Sequence, residues 1–491
     1  MKRLTFLLLL ALCVLTATAQ TTVTPPDGLE TAPYGLKAQS FNYGTYTPVV
    51  LPLNVAVQGN DVYIQGLCEY LRDAWVKGTR EGNKVTFPAG QYFGTTTGAD
   101  YTEYPLYFGG CDASWATTED DMNMIDVVMD IDAAGTMTTS TWILVNSAPS
   151  NVYPYVVLTS NTIVPIADKA ATPATPSVAS FLAYTAENEF AGVGLNIPVC
   201  DVDGNPIMAS KLSYAIYTDI EKDIQPLVIT ANDETLADPN MTVIPFTYTD
   251  NYNIEYGGYA VYWWYSDTKS LNRIGVQSIY TGGGEERKSE ISWYVIKPYA
   301  DEAAVFDFNA LDPATTPVST SSSHAGDITT DLVLKDKNVT LTVSPSTGSN
   351  TANRFWKDYK LDVIQLRMYG GTMTFDVPEG CTIEKVYFNG EWNEYNEFSS
   401  GECDGNGVWS GSTQQLVVTF FSGGSTGNTK INSIYVVVKG TAGLETIRLQ
   451  GDTLLRVFDL QGRELPRDAK GLVIQQLRSC DGRVYTRKVV R

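Results

Sequence analysis

The stretch Gln58-Gly59-Asn60-Asp61-Val62-Tyr63-Ile64-Gln65 places a Gly-Asn turn directly before a run of β-branched and aromatic residues. The same arrangement recurs in Glu81-Gly82-Asn83-Lys84-Val85-Thr86-Phe87. Glycine and asparagine tolerate the backbone conformations of tight hairpin turns, and Val, Tyr and Ile suit a half-buried pleated surface. The two stretches predict consecutive β-hairpins, and we assign residues 34–166 to one β domain.

The composition of the whole chain agrees with a β-rich fold. The 491 residues include 29 Tyr and 41 Gly, and 55 acidic against 34 basic residues give a formal net charge of −21. An acidic balance of this size argues against binding to nucleic acid or to anionic membrane surfaces. The length is sufficient for several domains. We therefore predict an all-β fold of tandem β-sandwich domains, with neutral ligands, such as glycans, or cations as the favoured partners.

The N-terminus has the three parts of a secretory signal peptide. Met1-Lys2-Arg3 is a charged start, residues 4–16 are almost wholly apolar, and Ala17-Thr18-Ala19 is a small-residue cleavage site. The apolar run is shorter than the roughly 20 residues that a membrane-spanning helix needs. We assign residues 1–19 to the signal peptide and expect an exported mature chain, of which the Thr- and Pro-rich residues 20–33 form an extended beginning.

The clearest linker lies at residues 167–176, where small residues and two prolines favour an extended chain without a core. Residues 177–299 then contain regularly spaced short strands separated by turns. By this pattern the segment resembles fibronectin type III and other immunoglobulin-like modules. The resemblance implies an immunoglobulin-like β-sandwich.

Residues 302–440 form a third predicted unit. Its sequence begins with the strand Ala304-Val305-Phe306-Asp307-Phe308, continues with Arg354-Phe355-Trp356 and Val386-Tyr387-Phe388, and includes Trp409-Ser410-Gly411. This order resembles the jelly-roll modules of surface proteins of Bacteroidota. The resemblance implies a jelly-roll-like β-sandwich.

Residues 443–491 differ from the rest of the chain in charge, with ten Lys or Arg against six Asp or Glu. Asp459, Gly462 and Arg463 form a turn pattern, Gly471 follows, and Lys488-Val489-Val490 lies next to the end. This module resembles the C-terminal sorting domain of proteins exported by the type IX route of Bacteroidota, although Val473 stands where that family usually has Tyr. The resemblance implies a small β module that engages outer-membrane secretion machinery and a cell-surface destination; periplasmic localisation is the alternative.

An exported chain can form disulfide bonds. We predict the pairs Cys68–Cys111 and Cys381–Cys403, because each lies within one segment, and we leave Cys200 and Cys480 unpaired or joined across domains. No C-x-x-C motif is present, which argues against a zinc or redox site.

The sequence gives little support for catalysis. His324 is the single histidine and lies in a Ser/Thr-rich stretch. A catalytic Ser-His or Cys-His pair needs a histidine that a third side chain holds in place, and such a stretch is a poor place for one. A glycosidase needs only two carboxylates. Glu285-Glu286 after Gly282-Gly283-Gly284 is the most suggestive pair, although a solvated hairpin tip is the favoured interpretation. We predict no catalytic residues.

Calcium is a weakly supported ligand. Asp201-Val202-Asp203-Gly204-Asn205 resembles the start of a calcium loop, but it lacks the third acidic position and the distal Glu. Asp-Gly between apolar strands is first of all a tight turn. We therefore predict no metal or other cofactor.

Aromatic residues provide the best functional indication. Tyr262-Trp263-Trp264-Tyr265 is predicted as a strand whose rings alternate between two faces, so that one pair lies outside the core. A second set, Trp392, Tyr395, Phe398 and Trp409, lies in loop-like sequence rich in Asn, Gly and Glu. Aromatic rings can stack on the apolar faces of sugars while polar neighbours bond the hydroxyls. Packing in the core or between domains is the alternative for both sets.

These observations favour a non-enzymatic protein at the cell surface that acts in adhesion or glycan binding. The predicted glycan contacts are Trp392, Tyr395, Trp409, Trp263 and Trp264. The partner would be a glycan or a surface protein, with no nucleic acid. A structural spacer of stacked sandwiches and a glycoside hydrolase with a carboxylate pair are the alternatives.

Overall fold

A computed structural model describes residues 20–490, apart from 43, 99–100, 116–121, 183–189, 230–240, 250–253, 255–257, 259, 265–270, 359–362, 424–427, 441–452, 460–462, 467–468, 471 and 479–483. The predicted signal peptide, residues 1–19, lies outside the described residues. The chain forms two compact units, Met1–Ile296 and Lys297–Arg491. Strands dominate both units, which confirms the predicted all-β fold of tandem β-sandwich domains. Within the described ranges no helix is long and apolar enough to span a bilayer.

The first domain is one sheet that closes on itself. Its strands are β1 (Ala32–Asn42), β2 (Thr45–Gln58), β3 (Asp61–Gln65), β4 (Trp75–Glu81), β5 (Lys84–Phe87), β6 (Gln91–Thr97), β7 (Glu103–Cys111), β8 (Val127–Ile131), β9 (Met137–Thr138), β10 (Trp142–Asn146) and β11 (Pro154–Pro165). The order is β1-β2-β3-β4-β5-β8-β9-β11-β10-β7-β6, and β11 also pairs with β1. Gln58 lies opposite Asp61, and Glu81 lies opposite Lys84, so both predicted hairpins are confirmed.

Side chains from the two faces of this sheet form two separate cores. Leu36, Ile64, Phe87 and Phe108 belong to a large buried core inside the closed sheet. A smaller core, which includes Trp142, lies on the other side of β7, β10 and β11. The alternation follows from the pleat, which sends successive side chains to opposite faces.

The second domain is a sandwich of two sheets. Its strands are β12 (Ser177–Leu182), β13 (Phe190–Asn196), β14 (Leu212–Ile220), β15 (Asp223–Pro226), β16 (Ile244–Pro245), β17 (Ala260–Trp264), β18 (Arg273–Tyr280), β19 (Arg287–Lys288) and β20 (Ser292–Val295), with one-turn 3-10 helices at Ala209–Lys211 and Gly282–Gly284. One sheet has the order β12-β13-β17; the other has β15-β14-β18, with β16 on β14 and β19 and β20 on β18. These orders correspond to the A-B-E and C′-C-F-G sheets of immunoglobulin-like folds.

Residues 167–176, predicted as an extended linker, lie against the second domain. The Ala174 N–H donates to the Cys200 carbonyl at 2.8 Å, and Pro173 forms a β-bridge with Asp201. The Asp168 carboxylate accepts bonds from the Lys211 ammonium and the Gly283 N–H, and these two bonds hold its pKa below the usual value. These contacts hold the segment against the second domain.

The third domain is a two-sheet sandwich. Its strands are β21 (Ala304–Asp307), β22 (Leu332–Asp336), β23 (Val339–Val343), β24 (Arg354–Asp358), β25 (Val363–Met368), β26 (Thr372–Asp376), β27 (Thr382–Glu391), β28 (Glu397–Phe398), β29 (Glu402–Cys403), β30 (Val408–Thr413), β31 (Gln415–Thr419) and β32 (Thr429–Lys439). One sheet has the order β24-β25-β32-β27-β30-β29, with β21 on β32, and the other has β22-β23-β26-β31-β28. Their facing sides bury one continuous apolar core.

The C-terminal module is a four-stranded sheet in the order β34-β33-β35-β36. Its strands are β33 (Thr453–Phe458), β34 (Glu464–Leu465), β35 (Leu472–Arg478) and β36 (Val484–Val490). The Asp459 carboxylate accepts bonds from the backbone N–H and the Nε–H of Arg463, which closes the turn between β33 and β34. Gly462 and Gly471 of the predicted sorting pattern lie outside the described residues.

The two predicted disulfide pairs are wrong. Cys68, Cys111, Cys200, Cys381 and Cys403 are free thiols. Cys68 packs in the large core of the first domain, whereas Cys111 packs in the small core on the other side of the sheet. Cys403 lies opposite Trp409, which lies opposite Val386, roughly 16 Å along the strand from Cys381. A disulfide needs Cα atoms within about 7 Å.

These thiols should react slowly in the native protein. Burial raises the pKa of Cys68 to about 11, and burial together with a neighbouring aspartate raises the pKa of Cys111 and Cys403 to about 12. Because the thiolate is the reactive form, we expect these three to react at pH 8 at least about 100-fold more slowly than after denaturation. Titration with a disulfide reagent, without reductant, should count at least the five named thiols in denatured protein. A lower count would mean that a disulfide is present.

Candidate functional site

The third domain places its four predicted aromatic residues at different depths. Trp409 is 0% exposed, and its indole Nε1–H donates to the Ser400 carbonyl at 2.6 Å. Its position in β30 lies opposite Val386 on the inner face of the sheet. The prediction that Trp409 contacts a glycan is therefore wrong, because no face of its ring reaches the surface.

Trp392 is half-buried and packs among other aromatic rings. Its ring stacks on Phe398 with centroids 5.7 Å apart, and it lies 4.6 Å from the ring of Phe388. Phe388 belongs to the sandwich core, so Trp392 joins the core to the surface.

Tyr395 is the exposed member of the predicted set. Its side chain is 64% exposed, and its ring centroid lies 5.3 Å from that of Phe421, which is 40% exposed. The pair forms because β28 pairs with β31, which brings the β27–β28 connection next to the residues that follow β31. Among the described residues of this domain, Tyr395 and Phe421 are the large aromatic side chains that are exposed.

Buried polar contacts fix the backbone beneath the ring pair. The Asn396 amide, 8% exposed, donates to Thr429 Oγ1 at 2.8 Å and accepts the Phe421 N–H at 3.0 Å. The Asn393 side chain accepts the Tyr395 N–H at 3.0 Å. One asparagine therefore ties the Tyr395 loop to the Phe421 segment, so that the two rings are held near each other before any ligand arrives.

Acidic residues lie next to these aromatic residues along the chain. Glu391, next to Trp392, forms an ion pair of 2.5 Å with Lys430, and Glu394 is exposed next to Tyr395. Carboxylates and amides beside accessible aromatic rings are the combination that bonds sugar hydroxyls while the ring covers an apolar sugar face.

Sequence reasoning missed Phe421. The signal was present in Phe420-Phe421 at the end of an apolar strand, because neighbours in a strand point to opposite faces. Phe420 is buried in the core, which leaves Phe421 facing outward.

The second predicted aromatic set lies in the second domain. The backbone of Trp263 and Trp264 lies in β17, opposite Ala191 and Phe190. Their side chains, and Tyr265 as a whole, lie outside the described part of the structure. Contact of Trp263 or Trp264 with a glycan therefore stays a prediction.

The calcium-like stretch is a tight turn. The Asp201 carboxylate accepts the backbone N–H groups of Asp203 at 3.0 Å and Asn205 at 2.8 Å. The turns that begin at Asp132 and Asp404 repeat this pattern. Among the described residues, no group of three or more His, Cys, Asp or Glu is placed to hold a metal ion.

The suggestive Glu285-Glu286 pair lies on an exposed hairpin. Glu285 forms an ion pair with Arg287 at 2.9 Å, and Glu286 forms one with Lys288 at 3.2 Å. Both carboxylates are exposed, as the hairpin-tip interpretation predicts.

His324 lies beside a set of polar contacts that holds its loop to β24. The Ser319 hydroxyl is buried and donates to Asp327 at 3.0 Å, and Asp327 also pairs with Arg354 at 3.2 Å. His324 Nδ1 lies 3.3 Å from the Arg354 guanidinium and 3.5 Å from the Asp327 carboxylate. A nucleophile needs its hydroxyl against the histidine, whereas this serine contacts the aspartate and ties the loop to β24.

Comparison with known proteins adds little. No protein-family model and no curated protein matches the sequence. One solved structure is a protein of Corynebacterium diphtheriae described as membrane anchored; it is 8% identical, with 94% of this chain and 95% of that chain covered and a TM-score of 0.12. Similarity at that level carries no argument about fold or function.

Proposed function

We propose that this chain is an exported, non-enzymatic protein of the cell surface that binds glycans through the ring pair of Tyr395 and Phe421. The observation that carries the proposal is the exposure of both rings on a backbone fixed by the buried Asn396. Preorganised rings lose little conformational entropy on binding, and entropy loss is a main cost of association.

Charge and targeting support the same proposal. The net charge of −21 favours neutral saccharides over anionic ligands. The signal-like residues 1–19 and the sorting-like residues 443–491 favour a route to the cell surface, through the outer-membrane secretion machinery as a partner.

Binding of the mature chain from Gln20 to a glycan array, followed by calorimetry with the best ligand, tests the proposal. We expect Tyr395→Ala and Phe421→Ala each to weaken binding roughly tenfold or more, which is about 1.4 kcal/mol. Tyr46→Ala is the matched control, because Tyr46 is 53% exposed and its ring lies 5.1 Å from that of Phe41 in the other compact unit. Affinity unchanged in both test variants would overturn the assignment of the site.

A structural spacer is the second candidate. The docked segment 167–176 favours it, because a fixed connection between successive domains holds them at a set separation. An array on which no glycan binds, with the protein fully folded, would favour the spacer over the binding protein.

A further inference from the structure

A cleft lies within the first compact unit, where the first and second domains meet. It encloses about 180 Å³, and its wall includes Asn54, Gln65, Glu69, Arg72 and Asp73 from the first domain and Ser210 from the second. A single water needs about 10–15 Å³ by the same kind of measure, so the cleft has room for a small ring. Ligand sites favour such junctions between domains.

The loop that forms one wall of this cleft is held rigidly. Gly66 has a φ of 95°, and a Cβ there would lie 2.7 Å from the Pro52 carbonyl oxygen, so only glycine lets the loop leave β3 against β2. Leu67 and Cys68 then anchor it in the core. The Gln65 amide donates to the Asp73 carbonyl at 3.2 Å. Glu69, Arg72 and Asp73 are therefore presented by a fixed backbone.

Three tyrosines contact one another, and two of them are chain neighbours of residues that line cavities here: Tyr70 follows Glu69, and Tyr155 precedes Val156. A smaller cavity shares Leu51 and Glu69 with the cleft and reaches Val156. Tyr155, the neighbour of Val156, lies 5.9 Å from Tyr70 and 6.1 Å from Tyr104 between ring centroids. Tyr70 is 48% exposed and Tyr155 is 40% exposed. No local pattern in the sequence indicates this strip, because its members are far apart along the chain.

We propose that the cleft and the tyrosine strip (Tyr70, Tyr104 and Tyr155) together bind a neutral oligosaccharide, at a site separate from the Tyr395–Phe421 pair. The terminal sugar occupies the cleft, where carboxylates and amides accept bonds from its hydroxyls and Arg72 donates to its oxygens. The following sugars lie on the tyrosine rings. This site extends the proposed function and does not depend on the third domain.

The lining favours a saccharide over a proline-rich peptide, the other extended ligand that aromatic grooves bind. Such a peptide presents mainly carbonyl acceptors, because proline lacks an N–H. Glu69 and Asp73 are acceptors when ionised and need donors, which sugar hydroxyls supply. The rings also meet at 74° and 60° rather than in parallel, so they do not form the walls of a slot.

Calorimetry of the mature full chain with array-selected neutral oligosaccharides tests the inference. We expect Tyr155→Ala to weaken binding of an oligosaccharide at least tenfold but to change monosaccharide binding little, whereas Asp73→Asn should weaken both. Tyr155→Phe should keep most of the affinity, which separates lost stacking from misfolding. Tyr46→Ala again serves as the control, with an unchanged melting temperature required of every variant.

The two proposed sites can fail separately. If both are real, a shared ligand binds with a stoichiometry of two, and Tyr155→Ala or Tyr395→Ala alone reduces it to one. A stoichiometry of one that is lost only in Tyr395→Ala would overturn the first-domain site and keep the third-domain site. A stoichiometry of one that is lost only in Tyr155→Ala would overturn the third-domain site and keep the first-domain site. Binding of a proline-rich peptide that depends on Tyr155, without saccharide binding, would overturn the ligand class.

Discussion

Replacing Trp409 with alanine is expected to lower the free energy of unfolding of the third domain by about 3–5 kcal/mol, the range for a large aromatic removed from a core. Trp409 is fully buried, and its ring packs against Gly401 and Gly411, where an added Cβ would lie 2.6 Å and 2.5 Å from the indole. The variant also leaves the Ser400 carbonyl without its indole donor.

Hydrogen exchange at β27 and β30 measures this effect, because a multi-domain chain does not unfold in one two-state step. Trp409→Phe is the graded control, since it keeps most of the apolar volume and loses only the hydrogen bond. It should therefore cost clearly less than the alanine variant. A loss below about 1 kcal/mol for Trp409→Ala would show that the ring is not a core element.

Trp409 also shows which part of the site the sequence could predict. Exposure in a loop is a local property, and Tyr395, in Asn- and Glu-rich sequence, is exposed as expected. The face of a strand residue depends instead on register. A bulge between Ile383 and Lys385 sets the pairing of Val386 with Trp409 and turns the indole inward. One residue of shift reverses every side chain of a strand.

The fold, like the site, has parts that the sequence could predict and parts that it could not. Turn chemistry is local, so the hairpins at Gly59-Asn60 and Gly82-Asn83 could be predicted from the sequence. The closure of the first domain through β1 and β11 joins residues such as Leu36 and Ile163, far apart along the chain, and no local pattern indicates it. The wrong disulfide pairs and the missed tyrosine strip have the same cause, because proximity along the chain does not give proximity across a closed sheet.

Removing the guanidinium of Arg273 should destabilise the second domain by about 3–5 kcal/mol, the usual cost of breaking a buried ion pair by removing one partner. The Asp219 side chain is 0% exposed, and its Oδ2 lies 2.6 Å from the Nε of Arg273. The guanidinium also lies 4.2 Å from the centre of the Trp293 ring. In Arg273→Ala, the carboxylate would keep the Lys222 N–H bond but would lose its ion pair with Arg273.

Asp219→Asn should lower the stability of the second domain less than Arg273→Ala does. In Asp219→Asn the side-chain oxygen can still accept the Lys222 N–H, and the Arg273 side chain, 29% exposed, can be solvated. We expect a cost of about 1–2 kcal/mol for that variant, since a neutral amide replaces a charge-assisted acceptor. Hydrogen exchange at β14 and β18, the strands that carry the two residues, measures both variants. Equal losses would mean that the cost comes from the shared contact itself and not from the burial of the carboxylate.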